Sequence, residues 1–203
     1  NREETGKGFE DDAVLPSYQV AVIDEAHHIE AEATDILSLT YSSDAVSRYL
    51  DYLTRREKRF GSASILDFLS VEEKDRGVGN RIKEAAAHIR TLMGQYDRVL
   101  SDIFSGHGSE FLLTEEFYSR NRERIREGEV IADELRRMQA DAYSGYRENP
   151  SEENAVYFDL LLRYLSTLSA YADILLDFIR FSDWDGTIPY ARSRGDKWEV
   201  KLS

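Results

Sequence analysis

The sequence contains no cysteine, which excludes a disulfide framework, a thiolate zinc site and iron–sulphur ligation within these residues. It also lacks a phosphate-binding loop. No Gly-x-x-x-x-Gly-Lys-Ser/Thr string occurs, and Gly6-Lys7-Gly8 is only a glycine-rich scrap. These residues therefore do not hold a nucleoside triphosphate by themselves. No apolar run approaches the ~20 residues of a membrane helix. The first residues carry no signal-peptide pattern, so the expected compartment is the cytoplasm. Positive charge is scarce: 26 Lys and Arg stand against 39 Asp and Glu in 203 residues, a net charge of −13. A surface of that sign repels phosphate backbones, so strong DNA binding by this chain alone is not expected. Internal repeats and long low-complexity segments are absent as well.

Against these absences stands Val20–Glu30, VAVIDEAHHIE. Val20, Ala21, Val22 and Ile23 form a continuous, β-branched apolar run, the pattern of a strand buried on both faces of a parallel sheet. Asp24 and Glu25 follow at once, then Ala26, His27 and His28. Paired acids at the carboxyl end of a buried strand are the layout of a site at the rim of an open α/β sheet. The chemistry that fits is nucleotide hydrolysis. One carboxylate holds Mg²⁺ through water while its neighbour orients or deprotonates the attacking water. The plainer account is a core strand followed by an acidic helix start, with Asp24 as N-cap and Glu25 complementing the dipole. It explains the acids but leaves the two histidines without a role.

Val20–Glu30 resembles motif II, the Walker B or DEAH box, of superfamily 2 helicases. With Leu15-Pro16 ahead of the apolar strand and DEAHHIE after it, the stretch is similar to that of the DinG/XPD-type ATP-dependent DNA helicases. The resemblance implies Asp24 for Mg²⁺, Glu25 for the hydrolytic water and His27 for coupling hydrolysis to DNA binding. It also implies ATP and Mg²⁺ as cofactors of an intact parent enzyme and single-stranded DNA as its partner. Translocation from 5′ to 3′ and a place in DNA repair follow by family analogy. An iron–sulphur cluster, if the parent has one, would lie upstream. Motif II without a P-loop, in a sequence that does not open on methionine, leads to the expectation of a fragment of a larger enzyme, inactive on its own.

The rest of the sequence reads as helical. Ile29, Ala33, Ile36 and Leu37 are spaced for a helix from His27 to Leu39. Asp44 looks like the N-cap of a helix over Ala45–Phe60, with Val46, Tyr49, Leu50 and Leu53 on one stripe. Its last turn, Arg55, Arg56, Lys58 and Arg59, suits a helix C-terminus as well as it suits nucleic acid. Ser62 or Ser64 caps a short helix carrying Ile65, Leu66, Phe68 and Leu69. Asp75–Gly79 reads as a break, followed by a long helix from Asn80 to about Phe104, with His88 at or near its surface. Ser105–Ser109 is a loop, and Glu110–Leu113 is briefly extended.

One helix is then expected from Glu115 to about Tyr146, with Ile125, Val130, Ile131, Leu135 and Met138 packed. Arg120, Arg122, Arg124 and Arg126 on it are DNA-facing candidates, although Glu123, Glu127 and Glu129 interleave and favour solvated pairing within the helix. After Asn149-Pro150, Ser151-Glu152-Glu153 starts a helix to about Phe181. It carries Val156, Leu160, Leu161, Tyr164, Leu168, Tyr171, Leu175, Phe178 and Ile179 as core. This is the most apolar helix and the expected bundle centre, its aromatics serving packing. Thr187–Arg192 and Lys197–Leu202 read as strands of a β-hairpin.

The expected fold is mainly α, a helical bundle flanked by the motif II strand and a C-terminal β-hairpin. The divisions are residues 1–30 as the motor remnant, 31–186 as an arch-like insertion, and 187–203 returning to the motor. That order again resembles the DinG/XPD family, in which the chain leaves the motor after motif II, builds an arch and returns through strands. Two other readings compete. Glu25-x-x-His28 is the unit of a di-metal carboxylate bundle, but no second copy exists: His88 has Glu84 four residues before it, and nothing acidic stands three before His107. The other is a non-enzymatic helical scaffold or partner-binding module.

Overall fold

A computed structural model describes residues 38–55, 64–69, 73–146, 155–182, 187–194 and 197–203, all within one unit spanning 38–203. The fold is mainly α. Among the described residues there are six helices: α1 (Ser43–Thr54), α2 (Ile65–Leu69), α3 (Glu73–Phe104), α4 (Glu115–Arg126), α5 (Glu129–Tyr146) and α6 (Ala155–Ile179). Four short strands, β1 (Leu39–Tyr41), β2 (Glu110–Leu112), β3 (Pro189–Arg194) and β4 (Lys197–Leu202), form one antiparallel sheet in the order β1-β4-β3-β2.

Four of the helices close a ring. α3 packs on α5, α5 on α6, α6 on α1 and α1 on α3, with α2 lodged against α1, α3 and α6. The apolar spacing of each helix explains this. On α3, Ile82, Ala86, Ile89, Met93, Tyr96 and Leu100 are buried at intervals of three and four; on α6, Leu161, Leu165, Leu168, Ala172 and Leu175 are buried in the same way. The sequence reading puts α6 at the centre of the bundle; it is instead one side of the ring, with its apolar stripe buried in the core. Val156 and Val130, read as core, are instead 74% and 50% exposed, because they fall off the buried stripes of α6 and α5.

The boundaries differ from the sequence reading in several places. Leu39 belongs to β1, not to a helix, because its backbone pairs with Leu202. α1 is capped by Ser42, whose Oγ accepts the Ala45 N–H at 3.3 Å; Asp44 lies inside the first turn. The helix ends at Thr54, where Arg55 turns to extended backbone at φ −80° and ψ 136°. α3 begins at Glu73 and runs through the glycines taken for a break. Tertiary packing overrides their low helix propensity: Val78 is buried where α5 brings Gly145, and a Cβ on Gly145 would come within 2.6 Å of Val78 Cγ2.

A further difference is the division of the expected Glu115–Tyr146 helix at Glu127-Gly128. There the N–H groups of Glu127 and Gly128 bond back three residues, to Arg124 and Ile125. A Cβ at Gly128 would stand 2.7 Å from Tyr96 Cζ and 3.0 Å from Ile179 Cδ1. The Tyr96 hydroxyl also donates to the Ile125 carbonyl at 2.9 Å. The kink is thus made by close approach of α3 and α6 rather than by chain punctuation.

The sheet gathers the ends of the helical unit. β1 pairs with β4 so that Leu39 faces Leu202 and Tyr41 faces Val200. The Ser38 and Ser203 hydroxyls hydrogen-bond, and Ile188 exchanges both backbone bonds with Ser203. The C-terminal hairpin is present, with Arg194 opposite Lys197, so β3 extends two residues past its expected end. β2 joins the far edge, where Arg192 forms a bidentate pair with Glu110 at 3.0 and 3.2 Å.

Candidate functional site

Asp24, Glu25 and His27, with the strand that would carry them, lie outside the described residues, as do residues 27–37 of the helix expected from His27 to Leu39 and, of the basic run, Arg56, Lys58 and Arg59. The DNA-facing candidates are described. The α4 helix is capped by Thr114, whose Oγ accepts from Phe117 N–H at 3.2 Å, and buries Tyr118 and Ile125. That leaves Arg120, Arg122, Arg124 and Arg126 exposed. Three of them are paired with acids: Arg120 with Glu116 at 2.6 Å, Arg124 with Asp102 at 3.1 Å and Arg126 with Glu129 at 3.6 Å. Arg122 makes no ion pair among the described residues. It opens onto a groove of about 360 Å³ with Ser119, Arg180 and Phe181, where Glu115 contributes the opposing charge.

Aromatics of α1 and α6, half-buried except for the exposed Tyr52, pack on one another. Tyr52 stacks on Tyr164 at 5.4 Å, and Tyr49 meets both Tyr164 and Tyr171 at 6.2 and 5.9 Å. Near them Phe68 of α2 stacks on Tyr157 at 4.5 Å. Ring–ring contacts of this geometry fit their reading as packing residues. His88 is exposed, and no cluster of three His, Asp or Glu side chains suited to a metal occurs among the described residues. No helix among them is long and apolar enough to cross a membrane.

A second groove, of about 330 Å³, runs between α1 and α3. Ser43 and Ser47 of α1 line one wall; Arg90, Met93, Gly94, Asp97, Arg98 and Ser101 of α3 line the other, and Lys197 of β4 closes one end. Most of its charges are already matched. Arg90 reaches Asp51 at 2.9 Å and the Thr54 hydroxyl at 3.0 Å. Lys197 bonds Asp44 and stands 4.0 Å from Asp97, which also accepts from the Ser43 hydroxyl at 2.7 Å. Arg98 makes no ion pair among the described residues, and Ser47 and Ser101 hydroxyls make no hydrogen bond there. Below the groove the buried Tyr41 hydroxyl is raised well above the ordinary tyrosine range, by burial first and by the Asp97 carboxylate second.

Sequence reasoning passed over this groove. Its one legible signal is Gly94, an isolated glycine inside a strong helical pattern. The partners across it come from residues 43–47 and 197, which only the fold brings together. A scan against family models, a search of curated proteins and a search of solved structures each returned no match.

Proposed function

We propose that this chain is the motif II and arch-like helical element of an ATP-dependent DNA helicase of the DinG/XPD type. In such an enzyme Asp24 holds Mg²⁺ through water, Glu25 orients or deprotonates the attacking water, and His27 couples hydrolysis to single-stranded DNA. VAVIDEAHHIE is the sequence support. The structural observation that carries the reading is the meeting of the two ends of the helical unit, Ser38 beside Ser203 and Leu39 paired with Leu202. A domain whose chain leaves and returns at one point fits into another domain as an insertion without disturbing it. The chain alone, having no P-loop, hydrolyses no ATP and binds single strands weakly, in keeping with its net charge of −13.

The pairing of Arg120, Arg124 and Arg126 with acids of this chain favours a second reading, a non-enzymatic scaffold that docks partners. Replacing Glu25 by Gln in the full-length protein separates the two. The helicase reading predicts that DNA-stimulated ATP hydrolysis falls by about a hundredfold or more, the usual contribution of a positioned base. Unchanged turnover favours the scaffold.

A further inference from the structure

Three tyrosines belong to the buried core, Tyr41, Tyr96 and Tyr118, and two of them have acceptors for their hydroxyls. Tyr96 Oη donates to the Ile125 carbonyl at 2.9 Å, and Tyr118 Oη to the Phe178 carbonyl at 3.1 Å. Tyr41 is the exception. Its side chain belongs to a residue only 1% exposed, and its hydroxyl finds no hydrogen-bond partner among the described residues. The buried Ser64 hydroxyl shares that lack there, but it lies beside the Asp67 carboxylate. A hydroxyl buried without a partner loses the water it bonds when exposed, and so destabilises the arrangement that buries it.

That penalty falls on one short strand. β1 has three residues, lies at the sheet edge and pairs with β4 alone among the described strands. Leu39 is 47% exposed and Thr40 half-buried, so the Tyr41 ring is the part of β1 that reaches the core. The ring holds the strand by apolar burial, and its own oxygen works against that hold. β4 does not need β1, because β3 pairs with it on the other side from Pro189 to Arg194. Nor does α1. Ser42, which joins it to β1, has extended backbone at φ −147° and ψ 142°, and it caps α1 through a bond within the turn, to the Ala45 N–H. β1 can therefore leave the sheet with both neighbours intact.

We propose that β1 is a latch, held by the Tyr41 ring and kept releasable by its unpaired hydroxyl, that opens while the helices and the β3–β4 hairpin stay folded. Opening returns the hydroxyl to water, uncovers the β4 edge from Val200 to Leu202 and separates Ser38 from Ser203. A segment with so few buried contacts opens by itself, well short of global unfolding. The latch stands on these contacts alone and does not depend on the motor assignment.

The test is amide hydrogen exchange of the 203-residue protein, comparing the amides that join β1 to β4 with those that join β3 to β4. The β1–β4 amides are expected to exchange more than about tenfold faster, and a smaller difference overturns the latch. Tyr41→Phe then removes the oxygen and keeps the ring. It is expected to slow β1–β4 exchange by about fivefold to hundredfold, the desolvation penalty of one hydroxyl, and to raise the melting temperature. A slowing of less than about fivefold overturns the role of the hydroxyl. Faster exchange overturns it too, because the oxygen would then secure the strand.

Discussion

Two seams run along α3, and they are built on opposite principles. On the side facing α5 the contact is dry and tight. Val78 and Tyr96 are buried, and Gly128 and Gly145 exist because a single carbon more would collide with Val78 or Tyr96. On the side facing α1, next to buried Leu50 and Leu53, the outer margin of the contact is polar and open. Serines, two arginines, Asp97 and Lys197 line a groove over a glycine with empty space above it. One seam holds the unit together by close packing. The other leaves a polar margin, with Gly94, Arg98 and Ser101 exposed. A glycine in a helix therefore has two possible reasons, and only its neighbours tell them apart.

That contrast can be broken by substitution. The largest effect belongs to Gly128→Ala, expected to destabilise by about 1–3 kcal/mol in denaturant unfolding, because Tyr96 and Ile179 must shift. Gly94→Ala is expected to act in the other direction, stabilising by up to about 1 kcal/mol through helix propensity alone. If both changes moved stability the same way, the distinction between the seams would fail.

The smallest effect lies outside both seams, at the foot of α2. Burial raises the Asp67 carboxyl, but hydrogen bonds from Lys83 Nζ at 2.7 Å and the Ser64 N–H at 2.8 Å outweigh it and bring it from 3.8 down to about 2. Because the folded value is the lower one, the stabilisation is complete above pH 3.8 and is lost as pH falls from there towards 2. The side chains of Lys83 and Asp67 are 37% and 33% exposed, so solvent screening keeps the contribution below about 1 kcal/mol. Asp67→Asn should flatten that part of the acid limb, measured as melting temperature against pH, by lowering neutral stability by less than about 1 kcal/mol while leaving stability near pH 2 unchanged.

How much of this the sequence disclosed follows from which forces are local. Apolar periodicity located α1, α3 and α6 and their buried stripes, because 3.6-residue spacing is written into the chain. Turn and alternation signals located β2 and the β3–β4 hairpin. What was hidden depends on distant residues. The break at Gly128 is imposed by Tyr96 and Ile179, and the continuity of α3 through Gly77 and Gly79 by contact near Gly145. β1 escaped notice because a three-residue strand is defined only by its partner, β4, at the far end of the sequence. The DEAH stretch remains a sequence argument, since Asp24, Glu25 and His27 lie outside the described residues. The α4 arginines were legible as exposed and interleaved with acids, but which of them is left unpaired was not. Arg124 finds Asp102 on another helix, and only Arg122 stays without an ion pair among the described residues.

The functional reading turns on the meeting of the helical unit's two ends. The absence of native cysteine makes that claim directly measurable. With Ser38→Cys and Ser203→Cys introduced together, mild oxidation of the folded protein should give a near-complete intramolecular disulfide, seen as a reducible mobility shift at low protein concentration. Persistent free thiols, or only intermolecular dimers, would contradict the pairing of β1 with β4 and the insertion it supports.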